Sequence, residues 1–202
     1  MSGDARVLTL ASASPRRREL LDSIGVRFVV RPSPAEEPSA RGESDPEDYV
    51  RRCAALKARA VAETTEGGLV LGSDTVVALA SGRILGKPRD DAEAAEMLRE
   101  LSGAQHRVWS GACLVNAGTG QEAVTAVATG VTFAELSDEF IDRYVATGEP
   151  LDKAGSYGAQ GRMGSHVTRV DGSWTNVVGL PLEILPGLWR ELGHELHDWQ
   201  AW

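Results

Sequence analysis

Apolar and polar positions fall into blocks along the chain, and the period of each block predicts its form. Val7 to Ala11 is a short apolar run that reads as a buried strand. Ser14 and Pro15 supply an N-cap and a first-turn proline for a helix with Leu20, Leu21 and Ile24 on its apolar side, closed by Gly25. Val26 to Val30 reads as a second strand, and Pro32, Pro34 and Pro38 make the next stretch a loop. Asp45-Pro46 opens a long helix to about Thr64, with the stripe Val50, Cys53, Ala54, Lys57 and Val61. Leu69 to Ala80 is apolar and β-branched, as a central strand would be, and Ser81-Gly82 turns it into Arg83 to Gly86 as a hairpin.

The second half continues the mixture. Asp90 or Asp91 caps a helix that buries Ala94, Ala95, Met97, Leu98 and Leu101. Gln105 to Asn116 and Gln121 to Phe133 read as two long strands around Gly118 and Gly120. Ser137 caps a helix through Ala146, and a glycine-rich loop runs from Gly155 to Gly164. His166 to Val170 and Ser173 to Val178 flank Asp171-Gly172, which predicts a hairpin, and Pro181 starts a last helix toward Trp189. No repeat or linker interrupts the order, so a single α/β or α+β domain over residues 1–202, wrapped around one cleft, is expected.

Composition narrows the partners. With 202 residues, 42% hydrophobic and 25% charged, the chain can bury a substantial core and is not a disordered segment. A net charge of −8 argues against nonspecific binding to nucleic acid or an anionic membrane, so an anionic ligand needs a local cluster of Lys and Arg. No apolar run is long enough to span a bilayer, and Met1 to Arg6 lacks the apolar core of a signal peptide, so a cytoplasmic protein is expected. Cys53 and Cys113 have no metal or redox spacing and read as reduced thiols.

Four places contradict their own structural setting. Arg16, Arg17 and Arg18 lie in a helix's first turn, where each cation is unfavourable by roughly 0.3–1 kcal/mol unless an anion binds there. A solvated patch paired with Glu19 and Asp22 is the plain alternative. Lys57 falls on an apolar stripe, where it either snorkels or points at a ligand. Asp74 sits among the β-branched and apolar residues of Leu71 to Val77, where a carboxylate is costly unless it is hydrogen-bonded, paired or bound to metal. Gly86-Lys87-Pro88 follows the hairpin, and a surface turn is its default reading.

In this order the segments resemble the Maf family of nucleoside triphosphate pyrophosphatases. The likeness is carried by Leu10 to Leu21, Gly72 to Val77, Gly86 to Pro88, Leu151 to Gly161 and Val178 to Leu182, and runs from about Leu8 to Leu182. It implies an α/β fold of two lobes around a central mixed sheet with the cleft between them, of the inosine-triphosphatase-like kind. It implies hydrolysis between the α and β phosphates with Mg²⁺ or Mn²⁺, and a homodimer. Asp74 matches the proton acceptor, and Ser12, Arg16, Lys57 and Lys87 match phosphate-contacting positions. The acidic residue expected after the second strand, a metal ligand together with Asp74, is Glu37, with Glu36 adjacent. Arg16, Thr75 and Gln160 match three positions tied to base preference, and the trio is similar to the subgroup acting on dTTP and UTP. The Gln160 amide offers both a donor and an acceptor to a pyrimidine edge. The rival functions are a nucleotide sensor in cell division that does not hydrolyse, a nucleic-acid module, which the acidic balance opposes, and a phosphatase with another cleavage pattern.

Overall fold

In the computed structural model, residues 6–201 are described. Met1 to Ala5, most of the segment that lacks a signal-peptide core, and Trp202 lie outside them. A seven-stranded mixed sheet organises the chain, in the order β2-β1-β3-β5-β6-β7, with β4 attached to β3. Strands β1 (Leu8–Leu10), β2 (Phe28–Val30) and β3 (Leu69–Ala78) run parallel to one another. Strands β4 (Ile84–Leu85), β5 (Gln105–Asn116), β6 (Glu122–Phe133) and β7 (Val167–Asp171) pair antiparallel to their neighbours.

The pairing of β3 is uneven, and the unevenness makes the cleft. One edge is paired with β5 along its whole length, Leu69 to Ala78. The other edge pairs with β1 only at Val70 and Leu71, and with β4 only at Val77 and Ala78. Between them Gly72 to Val76 has no partner strand among the described residues. Chain leaves β1 for helix α1 (Pro15–Ser23) at one side of the gap and enters β4 at the other. Ligands of open α/β sheets bind where connections diverge in this way.

Side chains of β3 alternate between two faces. Val70, Gly72, Asp74 and Val76 face helix α2 (Pro46–Ala62), which is capped as expected by Asp45 accepting from the Asp48 N–H at 3.1 Å. The helix lies so close that a Cβ on Gly72 would sit 2.3 Å from the Ala54 carbonyl oxygen, and one on Gly111 2.3 Å from that of Val50. Cys53 and Cys113 are both free and buried. The opposite face carries two separate cores. One gathers β1, α1 and helix α6 (Leu185–Glu191), with Trp189 and Trp199 buried inside it. The other gathers helix α3 (Asp91–Leu101), helix α4 (Asp138–Val145) and the far ends of β5 and β6. These are the two lobes. Among the described residues no helix is long and apolar enough to cross a membrane.

Two expectations need correction. Asp171-Gly172 does not turn a hairpin: β7 pairs with β6, and Ser173 caps a short helix, α5 (Trp174–Val178), by accepting from the Asn176 N–H at 3.1 Å. The Asn176 amide donates to the Val108 carbonyl at 3.0 Å and to Thr129 Oγ1 at 2.9 Å, so tertiary bonds override the strand propensity of the segment. The last helix also starts later: Pro181 precedes a 3₁₀ turn, Leu182–Ile184, and α6 follows from Leu185.

The close seat of α2 is testable. Gly72→Ala should destabilise the protein by about 1–3 kcal/mol in urea titration, because backbone must move to admit the methyl group. Gly187→Ala, with nothing within 4 Å of its Cβ position, should change stability by no more than about 1 kcal/mol.

Candidate active site

The narrow gap between α2 and the sheet brings Lys57 down onto Asp74. Lys57 Nζ donates to Asp74 Oδ1 at 2.7 Å and lies 2.7 Å from Glu37 Oε1. The Lys57 and Asp74 side chains are 11% and 8% exposed, and that of Glu37 43%. A charge buried this deeply is costly alone, so Lys57 and Asp74 each require the other. Burial tends to raise the Glu37 carboxyl, but the bond and charge of Lys57, with Lys87 and Arg17 beyond it, hold it below its ordinary value. Glu36 is exposed and does not line the cleft, which leaves Glu37 as the acidic loop residue at the site.

Above this cluster opens a cleft of about 1110 Å³, ample for a nucleotide-sized ligand. Ser12, Arg16, Glu37, Lys57, Asp74, Thr75, Lys87 and Gln160 all line it. Lys and Arg outnumber Asp and Glu along its walls, the reverse of the whole chain. Arg16 carries its charge across toward Asp152: burial opposes, yet Lys153 and then Arg16 keep that carboxyl below its ordinary value.

Arg17, the neighbour of the residue singled out from the arginine run, ties the site together. Its Nε donates to the Gly179 carbonyl at 2.9 Å, Nη1 to Ser12 Oγ at 3.1 Å and Nη2 to Thr75 Oγ1 at 3.1 Å. Burial lowers its pKa, partly offset by Asp74 and Glu37. Ser12 Oγ also accepts from the Ser14 N–H at 3.2 Å, so both lone pairs are engaged and its hydrogen is free to donate. Ser14 stands at the N-cap position without a side-chain cap bond, and the first turn of α1 holds no acidic residue. Thr75 Oγ1 is shared with Ser110 Oγ at 2.8 Å, on the sheet face opposite Asp74. Gly86 O accepts from the Gly155 N–H at 3.0 Å, joining the lysine turn to the glycine-rich loop. Lys153, within the segment Leu151 to Gly161 that carries the family likeness, also lines the cleft, a role that no local anomaly in the sequence marks.

Two carboxylates gathered on one cation fit a hard divalent metal, since Mg²⁺ usually takes one or two carboxylates and completes its shell with water and phosphate. Among the described residues no group of three or more His, Cys, Asp or Glu converges on one point. Glu37 and Asp74, both in the cleft lining, are the candidate ligands.

A cation-rimmed cleft with an acidic floor, set in the gap of a mixed sheet, defines a protein that accommodates a polyanion. More particularly, the chain matches the profile of the Maf-like proteins over residues 7–192 and belongs to that family. It is 50% identical over 190 residues to a "dTTP/UTP pyrophosphatase" of Thermococcus gammatolerans, covering 94% of this chain and 98% of that one. It is 51% identical over 191 residues to a protein of the same description from Anaeromyxobacter dehalogenans, covering 94% and 95%. The solved Ham1 protein of Staphylococcus aureus superposes with a TM-score of 0.48 at 13% identity over 80% of each chain, a likeness too loose to speak to function.

Lys57→Met should leave Asp74 buried without its cation and cost on the order of 3 kcal/mol near neutral pH. The lowered Glu37 pKa contributes stability that is full above the ordinary value of 4.5 and lost as pH falls through the folded value. The stability gap between wild type and Lys57→Met, measured by denaturant titration, should thus be widest above that value and narrow, by the share of Glu37, on acidification.

Proposed function

We propose that the protein hydrolyses nucleoside triphosphates, chiefly dTTP, UTP and modified pyrimidine nucleotides, to the nucleoside monophosphate and pyrophosphate. The observation that carries this reading is the acidic pair Glu37 and Asp74, drawn together by Lys57 on the floor of a cleft rimmed with cations. The descriptions of the half-identical relatives support the choice of substrate.

Each residue has a role that follows from its free bonding capacity. Lys57 has three N–H donors, two of them used by Glu37 and Asp74, and the third serves a phosphate oxygen. The Ser12 hydroxyl donates its free hydrogen, and Arg16, Lys87 and the first turn of α1 neutralise the remaining phosphate charge. Asp74 takes the proton from the water that attacks the α phosphorus, the new P–O bond forms, and pyrophosphate leaves on the opposite side. Glu37 and Asp74 are the residues that would hold a divalent cation, Mg²⁺ or Mn²⁺, which would supply further neutralisation of phosphate charge. Gln160 meets the pyrimidine edge, with Thr75 and Arg16 shaping that choice. The enzyme works in the cytoplasm as a homodimer. In support of the dimer, the outer edge of β6 from Glu122 to Thr129 has no partner strand among the described residues and carries no charge after Glu122.

Incubation with dTTP and Mg²⁺ should give dTMP and pyrophosphate on ion-exchange chromatography. Asp74→Asn, which preserves shape but removes the base, should lower kcat by about 10²–10⁴. Orthophosphate and dTDP as products, or full turnover by Asp74→Asn at saturating metal, would refute the reading.

A further inference from the structure

The glycine-rich loop from Gly155 to Gly164 contains a turn whose support comes from residues that the mechanism does not use. Gly161 N–H donates to the Gly158 carbonyl at 3.0 Å and closes a four-residue turn with Ala159 and Gln160 at its tip. Ala159 is buried in the core beneath, and Gln160 is exposed and lines the cleft. Gly158 N–H donates to Tyr144 Oη at 3.2 Å, and the Tyr144 hydroxyl in turn donates to Glu149 Oε1 at 3.0 Å. Glu149 Oε2 accepts from Arg162 Nη1 at 3.3 Å, on the far side of the turn.

The same carboxylate presses against the end of the turn. A Cβ on Gly161 would sit 2.1 Å from Glu149 Oε1, and one on Gly158 2.9 Å from Lys153 Cε. Lys153 Nζ donates to the Glu149 main-chain carbonyl at 2.6 Å, which fixes the segment carrying the carboxylate. Both ends of the turn therefore rest on Glu149, one through Tyr144 and the other directly. Burial raises the Tyr144 phenol above its ordinary pKa, so it keeps the proton it donates.

We infer that Glu149 is a positioning residue for base recognition, holding through Tyr144 and Gly161 the turn that presents Gln160 to the nucleotide. This rests on the reading of Gln160 as the group that meets the pyrimidine edge. An amide that selects one base by a donor and an acceptor must be held to about half an ångström, and a surface turn lacks that rigidity unless something beneath it is fixed. The glycines at 158 and 161 are then required not for flexibility but for contact with the carboxylate and the lysine stem.

The test compares kcat/KM for dTTP and for dCTP in Glu149→Ala, Glu149→Gln, Tyr144→Phe, Gln160→Ala and the double variant Glu149→Ala/Gln160→Ala. Glu149→Ala and Tyr144→Phe should each lower the dTTP preference about tenfold, mainly through a higher KM for dTTP with kcat within about threefold of wild type. Glu149→Gln, whose amide oxygen still accepts from Tyr144, should keep most of the preference. In the Gln160→Ala background the Glu149 change should shift the preference no further, because both act through one group. Tyr144→Phe removes a single oxygen and keeps the test decisive should Glu149→Ala fail to fold. An unchanged preference in Tyr144→Phe while Gln160→Ala abolishes it, or effects that multiply in the double variant, would overturn the inference alone. An unchanged preference in Gln160→Ala would overturn the reading of Gln160, and this inference with it.

Discussion

One ammonium group shared between two carboxylates organises this protein. Lys57 and Asp74 are both taken almost wholly out of water, where an isolated ion would cost several kcal/mol. Each is tolerable only because the other lies 2.7 Å away. That distance is in turn set by backbone. The glycines at 72 and 111 let α2 settle against the sheet to a depth no side chain would permit, and the lysine descends with the helix. Glu37 completes the cluster from the loop after β2, so three remote segments converge on one charge.

The rest of the cleft is an answer to two problems that this cluster creates. The first is structural: one edge of β3 has no neighbour strand at Gly72 to Val76, and other bonds must brace the two rims of that gap. Arg17 does this on one side by bonding Ser12, Thr75 and the Gly179 carbonyl at once. The bond between Gly86 and Gly155 does it on the other. The second problem is electrostatic: a pair of carboxylates repels a polyphosphate. The cations along the walls and the first turn of α1, which carries no acidic residue, reverse the local sign in a protein whose total charge is −8. Chemistry at an acidic floor is thereby made compatible with an anionic ligand.

Much of this was legible in the sequence because it takes the form of contradiction. A carboxylate amid β-branched residues and a lysine on an apolar stripe are expensive unless they meet, and they do. Helix α2 and its Asp45 cap, the long pair β5 and β6, and the turn at Gly82 follow from local periodicity and capping. Facing direction was less accessible. Adjacent arginines differ by about 100° around a helix, so the run at 16–18 announces an anion site without saying that Arg17 forms the knot. The depth of Gly72 and Gly111 was invisible, since a glycine in a strand marks close approach only once the partner is known. The segment after Gly172 failed for a physical reason: Trp174 to Val178 favours strand on its own, but Asn176 finds buried partners only in a helical turn. Glu149 and Tyr144 carry no local anomaly at all, and their role exists only in the folded chain.

The central claim is that the Lys57 cluster, on the floor of the cleft at the gap in β3, is where the triphosphate is broken. A crystal structure with Mg²⁺ and a dTTP analogue whose α–β bridge is nitrogen tests it most directly. The α phosphorus is expected within about 6 Å of an Asp74 oxygen, the span of two hydrogen bonds through one water, with Lys57 still between Glu37 and Asp74. Phosphates seated away from this floor, or Asp74 turned into the protein interior out of reach of the analogue, would contradict it.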